Sequence, residues 1–120
     1  MLDRTTKEEY IKELISLIKN ETAQLLVLKC IFTYPEYSQR IKTARINAVN
    51  EARMSKYSSS YTPVFVAYRV DLTVQEIHKD MKSALDILAA RLKFSQPELL
   101  NSASYIKLKE HVTHPPEYVL

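Results

Sequence analysis

No glycine occurs anywhere in the chain. Glycine-built phosphate loops, dinucleotide fingerprints and nucleophile elbows all need backbone without a Cβ, so this one absence excludes each of them. What remains is ordinary globular composition, 46% apolar and 26% charged, far from that of a disordered chain. A chain of 120 residues reads as one domain. It buries roughly two-thirds of its unfolded surface, enough for a core that needs neither metal nor disulfide.

Cys30 is the single cysteine. A lone thiol cannot close an intramolecular disulfide, which argues against a secreted, stapled scaffold. It lies in an apolar run with Lys29 as its only adjacent cation, the setting of a small buried hydrophobe and not of a reactive thiolate. Met1-Leu2-Asp3-Arg4-Thr5-Thr6 leads into a charged helix start without a signal-peptide pattern. The longest apolar region, Leu25 to Phe32, is interrupted by Lys29 and falls short of the ~18 residues a membrane span needs. These features point to a cytoplasmic protein with no membrane partner.

Periodicity predicts a mainly α fold: about four amphipathic helices in a compact bundle, with one or two short β-strand segments. Thr6 and Glu9 form a capping box, and Ile11, Leu14, Ile18, Leu25, Leu28 and Phe32 follow at three- and four-residue steps. We read one long helix here. Residues 25–34 also suit a buried strand, with Asn20-Glu21-Thr22 as the break. Pro35 ends the element either way. A second helix runs from about Glu36 to Lys56, with Ile41, Ala44, Ala48 and Ala52 on one stripe that lets a neighbour approach closely. Ser58-Ser59-Ser60 is a loop. Residues 64–70 alternate with a period of two and read as a strand, with Pro63 at its start. Thr73 with Glu76 and Ser95 with Glu98 are capping boxes, stapled by Leu72/Ile77 and Phe94/Leu99. The first opens a third helix with Ile77, Met81, Ala84, Leu85, Leu88 and Leu92 buried. The second opens a fourth, with Leu99, Leu100, Ala103 and Ile106 inward, ending near Val112. Residues 114–120 form an extended tail.

A strand at 64–70 needs partners for its backbone groups. If 25–34 is a strand, the two pair across a helical crossover. That arrangement of Tyr34-Pro35-Glu36-Tyr37-Ser38, a helix and Pro63-Val64-Phe65 resembles the first βαβ unit of nucleoside deoxyribosyltransferase-like proteins. It covers about a third of the chain, lacks the downstream Gly- and Glu-containing segment, and carries no residue roles over. If 25–34 is a helix, the strand pairs with a second copy, caps the bundle as a connector, or meets a partner, so a homo-oligomer is expected.

The net charge of +3 is unevenly spread. Residues 34–60 hold five cations (Arg40, Lys42, Arg45, Arg53, Lys56) against Glu36 and Glu51, while the rest of the chain is balanced. On a helix, Lys42, Arg45, Arg53 and Lys56 share a sector, with Arg40, Tyr37 and Tyr57 nearby. Cations that track phosphates beside aromatic faces suit nucleic acid, DNA or RNA, without sequence specificity. The same pattern also serves as a solvated charged face with wet-ended tyrosines. His111 and His114 sit where a helix dipole favours cations, and no second cysteine completes a zinc site. No carboxylate pair or serine has a convincing catalytic context, so neither an enzyme nor a cofactor is expected. The sequence reads as a binding or assembly protein: a small coat, packaging or accessory nucleoprotein subunit. The alternative is a protein-binding module or inhibitor that offers strand 64–70 or its C-terminal tail to a partner protein.

Overall fold

The computed structural model describes residues 2–54 and 62–114. Its elements are α1 (Leu2–Leu17), α2 (Glu21–Lys29), α3 (Pro35–Met54), α4 (Thr62–Ser95), a 3₁₀ turn (Pro97–Asn101) and α5 (Ala103–Thr113). Helix α4 is the spine. Its 34 residues span ~51 Å at 1.5 Å each, most of the 58 Å long axis of the molecule. Helix α3 runs antiparallel along the first half of α4, as Glu51 meets Arg69 and Arg40 meets Asp80. Helices α2 and α5 pack on α4, and α1 rests on α5 and α2. The radius of gyration, 17.7 Å, exceeds the ~14 Å of a compact chain this long. The bundle is therefore a drawn-out one, with a two-helix arm at one end.

The predicted mainly helical class holds, but no strand occurs among the described residues. Residues 64–70 are the opening turns of α4. Their alternation misled because all of these residues but Arg69 are apolar, so the segment fits either period. The helical phase Val70, Val74, Ile77, Met81 is the one that is buried, at 0%, 8%, 0% and 1% exposure. With 25–34 forming α2 and a turn, the βαβ resemblance has no strands to rest on. The Thr73/Glu76 box is not used either. Thr73 lies mid-helix, its Oγ1 donating to the Arg69 carbonyl at 3.1 Å.

The single long first helix is also corrected. α1 starts at Leu2, ahead of the Thr6/Glu9 box, and stops at Leu17. Asn20 then caps α2, its Oδ1 accepting from the Ala23 N–H at 3.0 Å. Gln24 closes the break from the other side, its Nε2 donating to the Ile18 carbonyl at 2.7 Å. Restarting the helix resets its phase. Ala23, Leu26, Val27 and Cys30 go inward while Leu25 and Leu28 stay about 40% exposed. A similar reset follows α4. Ser95 turns its hydroxyl back to Arg91, Phe94 is 93% exposed and staples nothing, and Ser102 caps α5 by accepting from the Tyr105 N–H. Tyr105, Leu108 and Val112 are then buried, and Ala103 and Ile106 face outward. The expected stripe of Ile77, Met81, Ala84, Leu85, Leu88 and Leu92 is wholly buried, and each large member contributes roughly 1.5–3 kcal/mol. The Ser58-Ser59-Ser60 loop and tail residues 115–120 lie outside the described residues.

Candidate nucleic-acid interface

The sequence of α3 divides it into three strips. Tyr37, Ile41 and Ala48 are buried against α4, with Ala44 and Ala52 at the margins of the contact. Alanine at these positions lets the two helices approach closely. Lys42, Arg45 and Arg53 all fall within about 80° of arc at ~100° per residue, and all three are exposed. From Lys42 to Arg53 the strip advances about 16 Å, close to five nucleotides of one strand. The ion pairs of the described residues are Arg40 with Glu76 and Asp80, and Arg69 with Glu51. None involves a cation of this strip.

The opposite flank of α3 is different. Arg40 Nη1 lies 2.6 Å from Asp80 and Nη2 3.9 Å from Glu76, and its Cζ sits 6.0 Å from the Tyr37 ring centroid. Arg69 Nη1 lies 2.9 Å from Glu51. Between these pairs an open groove of about 360 Å³ is lined by Gln39, Thr43, Asn47 and Thr73 along with Arg40, Arg69 and Glu76. Its charges are balanced at close range, so it offers little to a polyanion.

The residues expected at the interface thus separate. Lys42, Arg45 and Arg53 come together. Arg40 is turned to the other flank and held by carboxylates. Tyr37 is 4% exposed, and its hydroxyl donates to the Lys29 carbonyl, fastening α3 to the end of α2. Burial, reinforced by the charge of Asp80, pushes its phenol up to about 12. It presents no ring face for a base, which corrects its expected stacking role. Lys56 and Tyr57 lie outside the described residues. The sequence reading missed Glu51, Arg69 and Asp80. Their contacts join residues 18 and 40 positions apart, separations at which helical periodicity gives no signal.

Elsewhere the polar chemistry is sparse. Cys30 is fully buried and its thiol is pushed up to about 12 by desolvation. His78 packs on Phe32 with ring centroids 5.6 Å apart, and burial lowers its pKa. Among the described residues no group of three or more His, Cys, Asp or Glu could hold a metal ion. None of their helices is long and apolar enough to cross a membrane. No family model matches the chain, and comparisons with curated proteins and with solved structures return no match.

Proposed function

We propose that this protein is a non-enzymatic, cytoplasmic nucleic-acid-binding subunit that contacts phosphates through α3, as a coat, packaging or accessory nucleoprotein component would. One observation carries the reading: Lys42, Arg45 and Arg53 form an exposed strip free of ion pairs, while the other arginines of the helical arm are neutralised by carboxylates. Unpaired cations at this spacing release counterions from a polyanion, and that release gives affinity. Fluorescence anisotropy with a labelled oligonucleotide over a salt series tests the idea. Three phosphate contacts predict a slope of log K against log salt of about −3. Replacing Arg45 and Arg53 by Glu should abolish binding and leave circular dichroism unchanged. Equal retention of the oligonucleotide by that variant would remove α3 from the interface.

A second reading has its own support. Val64, Tyr68 and Leu72 are 70%, 59% and 38% exposed and recur at steps of four along α4. Apolar residues at this helical spacing suit a helix-in-groove contact with a partner protein or a second copy. Strand addition by 64–70 is no longer available, because the segment is helical. Light scattering decides the point. Self-association abolished by Tyr68→Glu would support this face, and a monomer at high concentration would exclude it for homo-oligomers.

A further inference from the structure

A third strip of α3 lies on its outer side, with Gln39 and Thr43 at the lip of the groove beside α4. Gln39, Thr43, Ile46 and Asn50 recur at steps of four, three and four, a single stripe opposite the buried line of Tyr37, Ile41 and Ala48. All four are exposed, and Ile46 is 60% exposed. The strip is free of acids. The carboxylates of α3 are Glu36, in the first turn, and Glu51, which is tied to Arg69 on the groove flank. Helix α3 packs chiefly on α4, with Tyr37 tying its first turn to the end of α2, and the side that carries this strip is exposed.

Resting on the phosphate-binding reading above, we infer that α3 is a recognition helix for duplex DNA: Lys42, Arg45 and Arg53 track one strand's phosphates while Gln39, Ile46 and Asn50 read base edges in the major groove. The chemistry of the three readers is specific. A carboxamide offers a donor and an acceptor side by side, the pair that matches adenine N6 and N7, and an aliphatic side chain packs on the thymine methyl group. The expected sites are therefore rich in A·T pairs. The shape fits as well. A helix of ~10–12 Å diameter enters a B-form major groove about 12 Å wide. From Gln39 to Asn50 the helix advances about 16 Å, or four to five base pairs.

Other nucleic acids fit less well. The major groove of A-form RNA is too deep and narrow for side chains to read. Non-specific single-strand binding relies on stacked aromatic rings, and the tyrosine of α3 is in the core. An exposed isoleucine among unpaired amides is poorly explained by phosphate contact alone, because phosphates take only charge and hydrogen bonds.

The test is selection from a randomised duplex pool by the full chain, followed by anisotropy at fixed salt. The selected duplex should bind roughly tenfold or more tightly than its scrambled counterpart, and A·T pairs should be enriched in it. The variant Gln39→Ala/Ile46→Ala/Asn50→Ala should bind both duplexes at the wild-type affinity for the scrambled one, with the salt slope retained. These positions are exposed, so circular dichroism should be unaltered. Duplex binding without preference would overturn base reading and leave the phosphate reading standing. Stronger binding to single-stranded DNA or duplex RNA would also overturn it. Failure to bind any nucleic acid would remove both proposals together.

Discussion

Single side chains fix the places where this chain changes direction. Gln96 is 9% exposed and reaches back 79 and 77 positions: its Nε2 donates to the Leu17 carbonyl at 2.8 Å and its Oε1 accepts from the Lys19 N–H at 2.9 Å. It satisfies backbone groups that the break between α1 and α2 leaves without helical partners. We expect Gln96→Leu to lower stability by about 2 kcal/mol in urea unfolding, because both groups lose a part-buried partner. Cys30 makes a simpler prediction. With its thiol held up to about 12, alkylation at pH 8 should proceed only once denaturant opens the fold. His78 links stability to pH. Its Nε2 is buried without a hydrogen-bond partner among the described residues, and its folded pKa lies below the ordinary 6.5. The unfolded chain therefore takes up the proton first as pH falls through 6.5, and stability drops from there downward. The urea midpoint should fall less between pH 7.5 and 5.5 in His78→Asn than in the wild type.

At the scale of elements, α3 is held to α4 by contact area and small residues more than by charge. Ion pairs whose side chains are 36–68% exposed contribute under about 1 kcal/mol each. Ala48, at 0% exposure, sits in the contact between α3 and α4. Ala48→Leu should force them apart and cost about 1–3 kcal/mol, read from the denaturation midpoint. Arg69→Gln should change stability by less than about 1 kcal/mol. It would also leave the charge of Glu51 unneutralised near the outer strips of α3, and oligonucleotide affinity should fall although Arg69 itself is not in the strip. Unchanged anisotropy in that variant would mean that the pair has no part in binding. The helical stripes of α3 and of the second half of α4 were legible in the sequence. The phases of α2 and α5 were not, because each is set by a restart at Asn20 or Ser102 whose position depends on what the cap meets.

On the scale of the molecule, the 58 Å rod has unequal ends. Around α4 residues 81–92 the core gathers Leu14, Val27, Met81, Leu88, Leu92 and Leu108, all at 0–1% exposure. Toward the end of the arm Met54 is 88% and Val64 70% exposed. Local opening follows burial, so amides of residues 49–54 and 64–68 should exchange hydrogen far sooner than those of 81–92. Uniform protection along α4 would contradict this. The arm carrying the candidate interface is thus joined to a firmer anchor, an arrangement that leaves α3 clear on its outer side.

The sequence by itself determined that the chain is mainly helical, that it has no glycine-dependent loop, and that its excess of positive charge lies within residues 34–60. The described backbone agrees, with no residue at positive φ. Helical periodicity and residue chemistry are local properties, and short windows report them. Tertiary structure alone decided that 64–70 continues into a 34-residue helix, that Tyr37 enters the core, and that Arg40 and Arg69 are neutralised while Lys42, Arg45 and Arg53 are not. Each of those outcomes depends on which distant residue arrives beside the group, and a window of a few turns holds no record of that meeting.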